Sequence, residues 1–328
     1  MTPDFDDVRL HIVTGKGGTG KTTVAAALAL ALAGRGKTVL LCEVEGRQGI
    51  AQLFDVPPLP YAERRVAQGA DDGAPVFALA IDAEAALLEY LAMYYRLGRA
   101  GKALDRFGII DFATTIAPGV RDVLLTGKVY EAAHRNRRQK NARHYDAIVL
   151  DAPPTGRIAR FLNVNFELAG LAKVGPIRSQ ADTVMTMMRS RATAVHIVTV
   201  LEDMPVQETL DSIDELHADS IPVGAVIVNQ VRERVLDAPT RKLAASRKLR
   251  RTEIKSELAR VGLPATKPTV DALVDEATEF ALRTRLEDEQ RARVDEIGLP
   301  VYALPRLPGG MDLGGVYELA ASLTEQGM

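Results

Sequence analysis

The residues best suited to chemistry form one run near the N-terminus, Gly15-Lys16-Gly17-Gly18-Thr19-Gly20-Lys21-Thr22-Thr23. A β-branched apolar segment precedes this run and an apolar segment of helical length follows it, which is the context in which G-x-x-x-x-G-K-[ST] indicates a phosphate-binding loop. Glycine permits the tight turn that points successive N–H groups at phosphate oxygens, and the helix N-terminus adds positive charge. We therefore expect Lys21 to neutralise the β- and γ-phosphates of a nucleotide, Thr22 to bind Mg²⁺ and Thr23 to reach the α-phosphate. The remaining contacts to the phosphates are expected from Gly15, Gly17, Gly18, Thr19 and Gly20.

A second lysine, Lys16, directly follows the first glycine of the loop. An additional cation near the γ-phosphate would stabilise the negative charge that develops during phosphoryl transfer. A lysine at this position resembles the deviant form of the phosphate-binding loop, in which it crosses a dimer interface to the nucleotide of the partner subunit. We expect this role for Lys16, and the alternative is an ordinary solvated lysine.

The segment that begins at Asp151 narrows the resemblance. Its sequence, Asp-Ala-Pro-Pro-Thr-Gly-Arg-Ile-Ala-Arg-Phe-Leu, follows a predicted strand. It resembles the D-T-A-P-T-G-H-T-L-R-x-L switch II of the arsenite-pump ATPases and of the eukaryotic factor that targets tail-anchored proteins. The resemblance implies that Asp151 holds the hydration shell of Mg²⁺ and that Gly156 senses the γ-phosphate through its backbone.

Later segments resemble the same family. Ile227-Val228-Asn229-Gln230 matches the strand end that supplies an adenine-binding asparagine, here Asn229, and Pro305 lies where a proline-containing loop covers the adenine. The segment from Leu201-Glu202 through Gln207-Glu208-Thr209 resembles the family pattern P-E-x-x-x-x-E-T, with Leu201 in place of proline. The chain is similar to the ArsA-like anion-transporting ATPases, including their paired actinobacterial type, over most of residues 8 to 230. The resemblance implies a dimeric P-loop ATPase that binds and hydrolyses ATP with Mg²⁺.

Two departures from that family pattern concern carboxylates and thiols. Switch I of the family reads T-D-P-A-H, whereas this chain has Val-Glu-Gly-Arg-Gln from residue 44. We expect Glu45 to orient the attacking water and to contact the metal through water, with Glu43 as the alternative. One added methylene moves a carboxylate by roughly 1 Å, a misplacement that can cost about 100-fold in rate, so slow hydrolysis is expected. The single cysteine, Cys42, is predicted to be a small core residue, which disfavours arsenite or zinc binding through thiolates.

The elements that must position these residues alternate along the chain. Helical stretches such as Thr22–Ala33, Gln207–Leu216 and Pro268–Leu286 separate the predicted strands. This alternation predicts an α/β fold, a doubly wound and mostly parallel sheet of the P-loop NTPase kind. We expect one domain over residues 1–328, with helical subdomain insertions at 83–143 and 155–192 and a C-terminal helical segment at 231–300. Continuous apolar runs predict buried strands at Val8–Val13, Thr38–Val44, Val76–Ile81, Asp146–Leu150, Ala194–Val200, Val223–Val228 and Val301–Leu304.

Composition and charge limit the possible classes of protein. With 47% hydrophobic and 26% charged residues in 328, disordered and fibrous classes are excluded. The net charge of -2 makes nucleic acid an unlikely partner. The acidic N-terminus predicts no signal peptide, and the short apolar runs predict no membrane span. The single cysteine is typical of a cytoplasmic protein, and any contact with a membrane is expected to be peripheral or through a client or partner. One basic helical block, Leu236 to Gly262, is interpreted as a solvated helix face, and the role of its residues 241–255 stays open.

These observations leave three functions to compare. In the first, the nucleotide state of an ATPase controls the conformation of a homodimer, or of a heterodimer with a paralogous ATPase, and so the binding of a hydrophobic or membrane-protein client. The second is a catalytically weak regulatory subunit, and the third is an ATPase of the partition or septum-positioning type. Three apolar segments could bind a client: Leu87–Leu97, Phe107–Phe112 and the cluster of Met185, Met187 and Met188. The favoured interpretation of these segments is ordinary core packing.

Overall fold

A single eight-stranded sheet forms the centre of the computed structural model, which describes residues 5–95, 118–135, 143–171 and 176–328. The strand order is β3-β4-β2-β5-β1-β6-β7-β8, and every strand except β3 pairs in parallel. The predicted α/β class and mostly parallel sheet are confirmed. In chain order the strands are β1 Leu10–Gly15, β2 Val39–Glu43, β3 Arg64–Gln68, β4 Pro75–Ala80, β5 Ala147–Asp151, β6 Thr193–Thr199, β7 Val223–Val231 and β8 Val301–Pro305.

The seven predicted strands correspond to the seven parallel ones, with ends shifted by at most three residues. The sequence did not predict β3, which begins with two exposed arginines, Arg64 and Arg65, and pairs antiparallel to β4 at the edge of the sheet. An edge strand buries little and tolerates charge, so it lacks the apolar run by which the buried strands were recognised.

Helices cover both faces of the sheet. On one face, α1 lies between the sheet and α11, and all ten residues of its Val24–Ala33 segment are buried. On the other face, α4 to α7 pack over side chains of the same strands that point the opposite way. The helices are α1 Lys21–Gly34, α2 Gly49–Leu53, α3 Ala83–Tyr95, α4 Pro118–His134, α5 Thr155–Leu171, α6 Pro176–Met188, α7 Asp203–Ala218, α8 Ala238–Ala245, α9 Arg251–Arg260, α10 Lys267–Asp295 and α11 Leu313–Glu325.

The two regions predicted as helical insertions contain α3 and α4, and α5 and α6, which pack against one another. Their status as a subdomain stays a prediction. Met185, Met187 and Met188 belong to α6 and are buried, so the core interpretation is confirmed for this cluster. The predicted segment Phe107–Phe112 and the end of Leu87–Leu97 lie outside the described residues.

The C-terminal segment differs from its prediction in two ways. The basic block forms two helices, α8 and α9, because the chain turns between them with Arg247 in the left-handed region at φ 54°. The helix predicted at Pro268–Leu286 extends to Asp295 as α10. Within the described part of the chain, no helix combines the length and the apolarity that crossing a bilayer requires.

Cys42 lies in β2 and is completely buried. Burial raises the pKa of its thiol to about 12, so the thiolate that metals and metalloids require is strongly disfavoured. The prediction that Cys42 is a core residue is confirmed.

Candidate functional site

Three loops that follow neighbouring strands converge at one edge of the sheet. They follow β1, β5 and β2, which are adjacent in the sheet. In register, Asp151 at the end of β5 lies between Val13 of β1 and Glu43 of β2. Since the strands are parallel, their carboxyl ends meet here, which is where open α/β sheets bind ligands.

The glycine loop between β1 and α1 depends on its glycines for steric reasons. Gly15 has φ 154°, and a Cβ at this residue would lie 2.2 Å from the carbonyl oxygen of Val198. Gly20 caps α1 in the left-handed region, and a Cβ there would lie 2.4 Å from Nδ2 of Asn229. The buried Thr19 closes the loop because its hydroxyl donates a hydrogen bond to the carbonyl oxygen of Lys16 at 2.8 Å. The loop therefore approaches its neighbours too closely for side chains at these glycines.

Lys21 and Thr22 open α1 directly after this loop. The hydroxyl of Thr22 donates a hydrogen bond to Oδ2 of Asp151 at 2.6 Å, across 129 residues of sequence. Burial raises the pKa of Asp151 to about 6, opposed by the Thr22 hydrogen bond and the charge of Lys21 and reinforced by the charges of Glu43 and Glu45. Asp151 therefore lies close to protonation near neutral pH, and an added cation would favour its charged form.

Two buried carboxylate oxygens at this point have no hydrogen-bond partner among the described residues, Oε1 of Glu43 and Oδ1 of Asp151. The other oxygen of Glu43 accepts a long hydrogen bond from the backbone N–H of Ile50 at 3.3 Å. Buried unpaired oxygens are costly unless a ligand or water satisfies them. Carboxylate and hydroxyl oxygens that leave room for water are the donor set that Mg²⁺ uses in phosphate-binding sites. The residues present therefore fit a hydrated Mg²⁺ ion.

Glu45 lies beside this group, next to a cavity of about 160 Å³. Its carboxylate is 3.7 Å from Nε of Arg47 and 4.0 Å from Nη1 of Arg157, which follows Gly156 in the first turn of α5. Arg157 also lies 3.8 Å from Asp122 of α4. Arg157, at the start of α5, therefore interacts electrostatically both with Glu45 in the segment after β2 and with Asp122 of α4. The sequence did not indicate these contacts.

Lys16 is paired within its own chain. Its Nζ donates to Oε1 of Glu208 on α7 at 2.5 Å, and both side chains are about a third exposed. The other oxygen of Glu208 accepts a hydrogen bond from the hydroxyl of Thr155 at 3.0 Å. Sequence reasoning did not include Glu208 among the site residues, although it lies in the quoted segment Gln207-Glu208-Thr209.

The remaining predicted residues lie at the same edge in different surroundings. Asn229, near the end of β7, is buried, and its Nδ2 donates to the carbonyl oxygen of Thr19 at 2.8 Å. It therefore supports the glycine loop. Pro305 is exposed at the end of β8 beside Val231. Among the other predicted site residues, Gly17, Gly18 and Gly156 are exposed, and Thr23 is partly buried.

A glycine loop that joins a strand to a helix, together with an aspartate at the end of the adjacent strand, defines a P-loop NTPase. The family model of the anion-transporting ATPases, the ArsA type, matches residues 8–192. The chain belongs to this family, which makes it an ATP-binding P-loop ATPase.

Relatives extend the similarity beyond the matched region. The chain is 51% identical to the ATPase BagA of Mycobacterium tuberculosis, over 98% of this chain and 94% of that protein. It is 29% identical to the ATPase get3 of Neurospora crassa, over 54% of this chain and 49% of that protein. The ATPase ARSA1 of Chlamydomonas reinhardtii is 23% identical over 69% of this chain and 35% of its own length.

Proposed function

We propose that the chain binds ATP with Mg²⁺ at the edge of the sheet formed by β1, β5 and β2, and hydrolyses it. The observation that carries this proposal is the 2.6 Å hydrogen bond between Thr22 and Asp151. It joins the two protein groups that hold the metal in P-loop ATPases. The unpaired oxygens of Glu43 and Asp151 support the same conclusion.

Each residue has a distinct task in this proposal. The backbone N–H groups from Gly15 to Gly20 hold the phosphate chain, and Lys21 neutralises its terminal groups. Thr22 and Asp151 hold the metal, Asp151 through water. Bound Mg²⁺ supplies a Lewis acid that withdraws charge from the phosphoryl oxygens.

The remaining tasks concern the attacking water and the recognition of the nucleotide. Glu45 orients the water, with Glu43 as the alternative because it lies directly beside Asp151 in the sheet. The backbone of Gly156 senses the γ-phosphate, and Asn229 and Pro305 contact the adenine. Thr23 reaches the α-phosphate.

Dimerisation belongs to the same proposal. Lys16 stabilises the nucleotide of the partner subunit, in a homodimer or in a heterodimer with a paralogous ATPase. Its only ion-pair partner among the described residues is Glu208, which is itself partly exposed, so the pair can be exchanged at low cost. The nucleotide state then controls the conformation of the dimer and the binding of a client or partner protein.

A regulatory subunit with weak hydrolysis is the second candidate, and the surroundings of Glu45 favour it. This glutamate replaces the aspartate of the family pattern, and two arginines lie within 4.0 Å of its carboxylate. Those charges compete with a water molecule for the same oxygens. In this case the chain would bind ATP and depend on a partner for turnover.

Calorimetry with ATP and Mg²⁺ tests the binding site. We expect one site per chain, and Lys21→Ala should weaken binding at least about tenfold through loss of charge-assisted hydrogen bonds. Lys255→Ala is the matched control, because Lys255 is exposed on α9 and should leave the affinity unchanged. Equal affinities of the wild type and Lys21→Ala would overturn the proposed site.

Steady-state hydrolysis, measured alone and with a co-purifying partner, separates the two candidates. An active enzyme should turn over alone, and Glu45→Gln should lower its kcat by about 100-fold, the scale of general-base assistance. Normal turnover by Glu45→Gln together with loss in Glu43→Gln would move the assignment to Glu43. Turnover only with the partner would favour the regulatory subunit.

A further inference from the structure

The basic block carries charge that the proposed ATPase site does not use. Between Leu236 and Thr266 there are eight lysines and arginines but only three acidic residues, in a chain of net charge -2. All three acids are engaged locally: Asp237 caps α8, Glu253 pairs with Arg250 just before α9, and Glu257 pairs with Arg260 of α9. The segment is therefore a concentrated positive surface on an otherwise acidic molecule.

Part of this charge faces a groove between α8 and α10, a cavity of about 410 Å³. α8 contributes Arg241 and Lys242, and α10 contributes Arg285 and Asp288. Small residues also line the groove, among them the buried Ala281. Its volume lies within the range of small-molecule sites.

The carboxylates around the groove neutralise its cations only in part. Asp237 interacts with Arg241 through charge, but an oxygen of Asp237 also caps α8. Asp288 lines the groove but forms its ion pair, at 2.6 Å, with Arg234, which does not line the groove. Arg285 has Glu289 at 3.8 Å, an exposed pair of small energetic value. Lys242 has no carboxylate within 4.0 Å among the described residues, and Arg241 donates one N–H to the carbonyl oxygen of Leu236 at 3.2 Å, which orients its side chain.

We propose that this groove binds a phosphate group carried by a ligand with at least two negative charges. Cations from two helices surround the same space, so they can contact several oxygens of one group at once. A phosphate offers enough oxygens for all three cations, whereas a carboxylate offers two, and the guanidinium fork matches phosphate geometry. The phosphate can belong to a free phosphorylated metabolite or to the headgroup of an anionic lipid.

Pyrophosphate is the probe for the free form, titrated by calorimetry into the full chain carrying Lys21→Ala, which weakens the nucleotide loop. We expect one site whose affinity falls at least tenfold in Arg241→Gln/Arg285→Gln. The matched control is Arg250→Gln/Arg260→Gln, which removes the same charge from pairs outside the groove. The control should keep most of the affinity, and circular dichroism should show all variants folded.

Vesicle sedimentation distinguishes the two sources of the phosphate. Binding to phosphatidylglycerol vesicles but not phosphatidylcholine vesicles, lost in the groove variant and kept in the control, assigns the lipid headgroup. Pyrophosphate binding without vesicle binding assigns a free metabolite. Absence of both, or equal losses in groove and control variants, overturns the proposal. ATP binding by the wild type is measured separately, so failure here leaves the proposed ATPase site intact.

Discussion

At the scale of single residues, Asp151 is the group on which burial and charge compete most directly. Burial raises its pKa to about 6, while Thr22 and Lys21 lower it. The sequence predicted a metal-holding carboxylate here from a motif. Its burial and its neighbour Glu43 follow from the pairing of β5 with β2, and local sequence does not determine which strands are adjacent.

The raised pKa of Asp151 predicts that the affinity for Mg-ATP decreases in acid. Below about pH 6 the carboxyl group binds a proton and loses its charge, so affinity should fall by up to about tenfold per pH unit. Calorimetry from pH 5 to pH 8 measures this. Because ATP itself also binds protons in this range, the affinities of the wild type and of Asp151→Asn are compared at each pH. Parallel profiles for the two proteins would contradict the prediction.

The pair between Lys16 and Glu208 predicts a competition between subunits. Since Glu208 holds the lysine in its own chain, Glu208→Gln should release Lys16 and strengthen ATP-dependent association. The expected gain is small, up to about fivefold, because both side chains are partly exposed. Analytical ultracentrifugation with ATP measures it, and Glu215→Gln on the exposed face of α7 is the control. Weaker association of Glu208→Gln would instead show that Glu208 supports the interface.

At the scale of elements, apolar periodicity predicted the seven parallel strands because helices cover both faces of the sheet. The same reasoning could not predict β3, whose exposed arginines suit an edge. The sequence also indicated one helical block where the structure has two helices, α8 and α9. The turn between them is visible only in the backbone conformation of Arg247. The type of an element could therefore be predicted wherever burial requires apolar residues. The residues at which elements begin and end could be predicted less accurately.

The junction of β1 with the glycine loop predicts a steric requirement. Gly15→Ala would place a Cβ 2.2 Å from the carbonyl oxygen of Val198 on β6. We expect the free energy of unfolding to fall by about 2–4 kcal/mol, because backbone atoms must move. Urea denaturation measures this change.

Gly17→Ala is the control for that experiment. A Cβ at Gly17 would meet no atom within 4 Å, and its φ does not require glycine. Its stability should stay within about 0.5 kcal/mol of the wild type. A Gly15→Ala variant as stable as Gly17→Ala would mean that the loop moves away from β6 at little cost.

At the scale of the whole molecule, two histidines from β1 and β6 meet inside the sheet. Nδ1 of His11 lies 3.1 Å from Nε2 of His196, and both rings are completely buried beside Phe5. Burial lowers the pKa of both, for His196 to about 3. The sequence did not indicate this pair, because its members are 185 residues apart.

The buried pair predicts acid sensitivity of the fold. Because both histidines are neutral when folded and bind protons when unfolded, their contribution to the free energy of unfolding should be constant above about pH 6.5 and decrease below it. The loss is up to about 1.4 kcal/mol per pH unit for each histidine. Urea denaturation at pH 5 and pH 7 measures it, and His196→Gln should reduce the slope by about one proton. A slope for His196→Gln equal to that of the wild type would contradict the prediction.

The glycine loop, the aspartate at the end of β5, the apolar strands and the family could all be predicted from the sequence, because each depends on residues that are neighbours along the chain. Three contacts became visible only in the folded chain: Glu208 pairs with Lys16, Glu43 lies beside Asp151, and α8 and α10 enclose a basic groove. These contacts depend on strand order and helix packing, which are set by the burial of the whole core. No local pattern of residue types specifies them.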